Sequence, residues 1–190
     1  MIRFDGKVAI VTGAGNGLGR SHALALAARG AKVVVNDLGA AVDGAGASRS
    51  AAETVVKEIR DAGGAAIADG ANVTSEREVA AMVESAMKTW GRVDILVNNA
   101  GILRDKTFAK LEIEDFRAVL NVHLLGSAIC AKAVWEIMRQ QTYGRIVSTS
   151  SPSGLHGIFG QANYGAAKAG LIGLTNALHL EGAKYNIRVN

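Results

Sequence analysis

The sequence predicts an α/β fold: a doubly wound parallel sheet in three layers, with helices on both faces. Three observations predict it. Short apolar runs alternate with longer amphipathic stretches along the chain. The runs are apolar on both faces, as strands covered from two sides must be. A glycine-rich turn joins the first run to the first amphipathic stretch, the usual entry from strand to helix in such sheets.

The elements follow in order. Residues 8–12 read as the first strand, and Thr12-Gly13-Ala14-Gly15-Asn16-Gly17-Leu18-Gly19 turns the chain into a helix over 18–29. A second strand, 32–36, ends at Asp37. Residues 39–46 form a glycine-rich loop longer than the usual strand-to-helix turn, placed to cap the adenine end of a cleft or to move freely. A helix over 48–62, a strand over 65–68, a helix over 75–90 and a strand over 94–98 come next. A long helix over 112–140, a strand over 145–148 and a helix over 162–181 complete the alternation. Asn186-Ile187-Arg188-Val189-Asn190 reads as the start of a sixth strand. An apolar strand cut short leaves an exposed sheet edge. The expectation is therefore one dinucleotide-binding and catalytic domain over residues 1–190, truncated in its sixth strand.

Composition narrows the class. A chain of 190 residues, 49% apolar, can bury a sizeable core in one domain. The 21 Lys and Arg against 17 Asp and Glu leave a formal charge of +4, and the cations are scattered. That argues against a nucleic-acid partner. It suits an anionic ligand such as a dinucleotide or a coenzyme A ester, and is equally ordinary for a soluble protein. Cys130 is alone, so no internal disulfide forms, and its apolar neighbours predict a buried thiol. No stretch reads as the roughly eighteen apolar residues that span a bilayer. The start lacks a charged-then-apolar leader. The expected location is cytoplasmic, with no membrane partner and no metal site.

The glycine turn carries the first chemistry. Glycines let the backbone turn sharply and approach a pyrophosphate, and the free N–H groups of a helix start favour its charge. Gly13, Asn16, Gly17, Leu18 and Gly19 form this candidate cradle. Asp37 follows at the offset of a carboxylate that binds an adenosine ribose. It accepts from a free 2′-OH and repels a 2′-phosphate, which selects NAD over NADP.

Tyr164 and Lys168 carry the second. They are four residues apart, so on a helix they share a face. A phenol is a poor base at neutral pH, and a nearby ammonium stabilises its phenolate. Ser151, just after a strand, can hydrogen-bond a substrate oxygen and hold it at Tyr164. Phosphate cradle and acid/base set together point to redox chemistry on an alcohol or carbonyl.

These motifs, with Asn98-Asn99-Ala100-Gly101, resemble the short-chain dehydrogenase/reductase family in order and spacing over nearly the whole chain. The resemblance implies a Rossmann-type fold, with Asn99, Ala100 and Gly101 bordering the cofactor and Asn72 and Val73 beside the adenine. It implies that Lys168 also binds the nicotinamide ribose, as Tyr164 exchanges the substrate proton. It further implies a homotetramer or dimer through the helices over 112–140 and 162–181.

The chain departs from the family in two places. His123 stands where the fourth catalytic member is usually asparagine, while Asn121, two residues earlier, would point elsewhere on a regular helix. His123 can hold a water or titrate near neutrality, or simply pack the helix. The second departure is that the family's later substrate-covering segments would follow Asn190, leaving Ser153, His156 and Phe159 as candidates near the substrate. Within the family, the segments 34–39 and 99–105 with His123 are similar to the (3R)-hydroxyacyl-CoA dehydrogenase domains of peroxisomal multifunctional enzymes. Those domains are also called 17β-hydroxysteroid dehydrogenases. The implied function is NAD-dependent interconversion of a secondary alcohol and a ketone, on a 3-hydroxyacyl-CoA or a hydroxysteroid. A 3-oxoacyl-carrier-protein reductase and a catalytically inactive nucleotide-binding or assembly protein remain the alternatives.

Overall fold

The computed structural model describes residues 2–44, 46 and 50–190. The strands are β1 (Val8–Thr12), β2 (Lys32–Asn36), β3 (Ala65–Asp69), β4 (Ile95–Asn98), β5 (Gly144–Ser148) and β6 (Ile187–Val189). They form one parallel sheet in the order β3-β2-β1-β4-β5-β6. The order reverses between β1 and β4, and in such sheets ligands lie outside the carboxyl ends at that switch point.

The helices are α1 (Gly17–Ala27), α2 (Ser50–Asp61), α3 (Glu76–Trp90), α4 (Ile113–Leu120), α5 (Gly126–Gln141), α6 (Pro152–His156) and α7 (Ala162–Gly182). They cover two core clusters. Ile10, Val34, Leu96 and Ile146 face one, with α3 and α5; Ala9, Val11, Val33, Val35 and Val97 face the other, with α1 and α2. Alternate residues of one strand thus feed opposite cores, which is why the runs are apolar throughout. Cys130 is buried in the first cluster, and burial pushes its thiol up to about 12.

The expected elements are present within a few residues at their ends. The helix expected over 48–62 is seen from Ser50; residues 48 and 49 lie outside the described residues. Helix α3 is set by local chemistry. The Ser75 side chain accepts from Glu78 N, and Glu78 Oε2 accepts from Asn72 N at 3.0 Å. The Ser75 cap, with Glu78 reaching past it to Asn72 N, fixes the turn carrying Asn72 and Val73.

Two features correct the sequence reading. The short helix α6 was not among the expected elements. The long helix is continuous over 113–141 but holds a π turn, Asn121–Leu125, between α4 and α5, where Gly126 N–H reaches back to the Asn121 carbonyl. By length and composition this 29-residue helix is apolar enough to cross a membrane, contrary to expectation. Its apolar face is instead laid on the sheet through Cys130, Ala131, Val134 and Met138.

At the amino ends of the strands, Asp94 is fully buried just before β4. Its carboxylate accepts from Val8 N at 2.9 Å and from Arg92 Nε and Nη2 at 2.7 Å each, with Lys7 Nζ at 3.4 Å. Burial pushes the carboxyl up. The Arg92 fork, the Val8 N–H and the Lys7 charge outweigh it and leave the group below its ordinary range.

Candidate active site

The turn after β1 is held by β4. Thr12 Oγ1 accepts from Asn99 N at 3.0 Å and Ala100 N at 3.1 Å, and Asn99 Nδ2 donates to the carbonyls of Thr12 and Gly13 at 3.0 Å each. The approach requires glycine at position 13: its φ is +61°, and a Cβ there would stand 2.8 Å from Ala100 Cα. The Asn99 side chain is therefore committed to stapling the turn. Asp37 closes the other side, its Oδ2 accepting from Gly15 N and its Oδ1 from Gly39 N, both at 2.7 Å.

These elements border a cavity of about 470 Å³ at the switch point. Gly13, Asn16, Asp37, Asn72, Val73, Asn99, Ala100 and Gly101, the candidates named from the sequence, line it. Gly17, Leu18 and Gly19 begin α1 beside it without lining it; Leu18 is 65% exposed. The residues present fit a dinucleotide. The volume is that of a small-molecule site, and a Cβ at position 15 would come within 2.8 Å of Asp37 Oδ2, so the backbone there must stay bare. The Asp37 carboxylate keeps lone pairs for a ribose hydroxyl.

Sequence reasoning missed the cleft's far wall. Asn36, Val42, Ile102, Arg104, Asn121 and Val122 also line it. Leu103 N donates to the Val42 carbonyl at 2.9 Å and Arg104 Nε to that of Asp43 at 3.0 Å, so the glycine-rich loop is pinned across the cleft. The length of that loop was the available signal. Asn121 shares the cavity wall, on the π turn where a regular helix was assumed, while His123 is the residue that meets Tyr164.

The acid/base group assembles at the ends of β4 and β5. Lys168 is 3% exposed, its Nζ donates to the Thr149 carbonyl, and it stands 5.4 Å from the Tyr164 ring centroid. Burial pulls its ammonium down to about 8. Asn163 fixes the first turn of α7: its Oδ1 accepts from Tyr164 N at 2.8 Å and its Nδ2 donates to the Arg104 carbonyl at 3.0 Å. Ser151 caps α6, accepting from Ser153 N at 3.2 Å. The neighbouring Ser150 hydroxyl donates to the Lys168 carbonyl at 3.0 Å and ties this segment to α7.

His123 completes the group from the π turn. Its ring is buried and meets the Tyr164 ring edge-on, with centroids 5.2 Å apart. Nε2 lies 3.1 Å from Ile102 N and 2.9 Å from Ile102 O, and accepts from one or donates to the other according to tautomer. Nδ1 is buried without a partner among the described residues. Burial first, then the Lys168 charge, lowers the imidazole to about 4, against the weaker opposite pull of the Ile102 backbone. The ring is neutral at pH 7, so of the roles open to it, titration near neutrality is set aside, while packing and holding a water remain. Its contact explains Gly101, where a Cβ would collide with His123 Cε1.

Of the substrate-side candidates, His156 and Phe159 are exposed, Phe159 at 91%. Ser153 is not beside an open surface: it is buried, in the first turn of α6.

The chain belongs to the short chain dehydrogenase family, whose pattern matches residues 7–190. It is 56% identical over its whole length to the peroxisomal multifunctional enzyme type 2 of Drosophila melanogaster, and spans 31% of that protein. A solved short chain dehydrogenase from Mycobacterium avium is 49% identical, with a TM-score of 0.91 over 98% of this chain and 66% of that one. A 7α-hydroxysteroid dehydrogenase solved with NADH and 7-oxo glycochenodeoxycholic acid is 34% identical. Its TM-score is 0.90 over 99% of this chain and 70% of that one.

Proposed function

We propose that this chain, a member of the short chain dehydrogenase family, is an NAD-dependent dehydrogenase domain that oxidises the secondary alcohol of a 3-hydroxyacyl thioester. The observation that carries the reading is the packing of Tyr164 against Lys168 and His123, with Ser151 capping α6 on the segment tied to α7 and Asp37 on the wall of the cleft. NAD is favoured over NADP because a carboxylate at the ribose position repels a 2′-phosphate, and NADH occupies the 7α-hydroxysteroid dehydrogenase relative. The thioester is favoured by the resemblance of segments 34–39 and 99–105, with His123, to (3R)-hydroxyacyl-CoA dehydrogenase domains; a hydroxysteroid is the second substrate class. The name of the Drosophila melanogaster relative is peroxisomal, against the cytoplasmic location expected from the sequence.

Bound NAD supplies the hydride acceptor. The chain's own residues hold and deprotonate the alcohol. Ser151 donates to the substrate oxygen, and Tyr164, as phenolate, takes its proton. Lys168 would hold the nicotinamide ribose of bound NAD, and it places a positive charge beside Tyr164. With its ammonium drawn to about 8, it is poised to release a proton near neutral pH. His123 fixes the edge of the Tyr164 ring and the backbone at Ile102. We further infer homo-oligomers through the outer faces of α5 and α7, where Leu180 is exposed.

The test is Tyr164→Phe in the full-length protein, assayed by NADH production from a 3-hydroxyacyl-CoA. Turnover should fall by three orders of magnitude or more, roughly the upper range of acid/base catalysis, with NAD affinity unchanged. Retained turnover would remove Tyr164 from the role of base.

A further inference from the structure

Ser151 stands at the end of a hydrogen-bonded chain of side chains. Its hydroxyl lies 3.3 Å from that of buried Ser153. Ser153 Oγ donates to Gln161 Oε1 at 2.7 Å, and Gln161 Nε2 donates to Asp105 Oδ2 at 2.7 Å. The three outer members come from separate segments: the loop after β4, the start of α6 and the entry to α7. The loop is anchored on both sides of Asp105, by Asn163 Nδ2 on the Arg104 carbonyl and by Lys106 N on the Gly160 carbonyl, each at 3.0 Å.

The direction of this chain is fixed by chemistry. An ionised carboxylate only accepts, so Gln161 must turn its nitrogen to Asp105 and its oxygen to Ser153. The single proton of Ser153 is then committed to Gln161, and its oxygen can only accept from Ser151. The Ser151 oxygen already receives the Ser153 N–H. What remains on Ser151 is its own proton, held at 3.3 Å from Ser153 Oγ, a long and weak bond that a closer acceptor displaces.

We propose that Asp105, Gln161 and Ser153 form a positioning relay that presents the Ser151 hydroxyl as a donor to the substrate oxygen. The inference rests on the role given to Ser151 above. Asp105 sets the polarity with a charge-assisted bond, Gln161 transmits it, and Ser153 converts it into one rotamer of Ser151. None of the three touches the substrate. If Ser153 were released from Gln161, its proton could turn to Ser151 Oγ and swing that hydroxyl off line.

The experiment compares Ser151→Ala, Gln161→Leu, Gln161→Glu and Asp105→Asn in the full-length protein, with (3R)-3-hydroxybutyryl-CoA as probe and NAD affinity measured separately. Ser151→Ala should lose turnover by about a hundredfold, and Gln161→Leu should lower kcat about tenfold with NAD affinity held, as expected of lost alignment. Asp105→Asn, on the exposed loop, frees the amide to flip and should cost a smaller factor in kcat. Gln161→Glu gives the distinctive reading. Two facing carboxylates cannot bond when both are ionised, but a protonated introduced carboxyl can donate to Asp105 and accept from Ser153. The ratio of variant to wild-type kcat should therefore rise as pH falls toward about 5, within the range of paired carboxyls. A lost Ser151→Ala activity beside wild-type kcat in Gln161→Leu and a flat ratio for Gln161→Glu overturns the relay and leaves Ser151 in place. Full turnover in Ser151→Ala overturns the serine assignment and the relay with it. If Gln161→Leu loses NAD binding, Asp105→Asn and Gln161→Glu decide alone.

Discussion

The two ends of strand β4 are built on opposite principles. At its amino end Asp94, fully buried, is surrounded by donors: the Val8 N–H, the Arg92 fork and the Lys7 ammonium. At its carboxyl end Asn98 Oδ1 is buried without a partner among the described residues, and so is His123 Nδ1. Next to His123 sits Lys168, an ammonium buried with a backbone carbonyl as its hydrogen-bond partner and no carboxylate paired with it among the described residues. Buried polar groups are expensive unless satisfied. One end of the sheet therefore holds the fold together, while the other carries unspent hydrogen-bonding capacity and charge that a ligand can use.

The difference predicts which end tolerates change. Asp94→Ala should be the most damaging to stability, by about 3 kcal/mol, because breaking a buried pair removes the acceptor for several donors. The figure is at the low edge of that class since Arg92 and Lys7 are partly exposed and can turn to water. Chemical denaturation gives the loss, and NAD affinity at saturation of the folded state should be unchanged. A loss below 1 kcal/mol would break the contrast between the two ends.

Lys168→Met should act in the opposite direction on stability. Burial draws the Lys168 ammonium from 10.5 to about 8, so the folded state resists the charge that the unfolded chain accepts. The cost is fully present below pH 8 and disappears as pH rises from about 8 to about 10.5, because the unfolded chain holds the extra proton in that window. Removing the amine should raise stability at pH 7 by about 2 kcal/mol, a shift worth at most about 3 reduced by the bond lost to Thr149. Turnover should vanish. A less stable Lys168→Met would mean that the lysine holds the fold as Asp94 does.

What could be read from the sequence follows the same division. The glycine turn, Asp37, Ser151, Tyr164 and Lys168 were legible because each demand is local: a bare backbone at Gly13, a carboxylate at a strand end, a pair at helical spacing. The strands were legible because both faces of the sheet are covered. The π turn at Asn121–Leu125 was not, since the residues 113–141 keep a helical apolar pattern throughout and nothing in it announces one extra residue per turn. The link from Asp105 to Gln161 joins positions 56 residues apart through polar side chains that read as ordinary loop residues. Arg104 and Val42 entered the cleft only once the loop was seen folded across it.

The smallest effect at neutral pH, and the sharpest probe of the unsatisfied end, is His123→Asn. The imidazole titrates at about 4 in the folded chain against 6.5 ordinarily, chiefly from burial. As pH falls from about 6.5 to about 4 the unfolded state takes up a proton that the folded state refuses, so stability declines through that window and levels off below it. The full amplitude is on the order of 3 kcal/mol. The variant has no group titrating there, so its stability should be flatter across that window by this amount, while at pH 7, where the wild-type ring is neutral in both states, this contribution is nil. Denaturant midpoints measured at half-unit steps from pH 7 to pH 4 give both curves. Parallel curves would mean that His123 gains its proton in the folded state, through water reaching Nδ1, and the ring would then belong with the satisfied groups at the other end of β4.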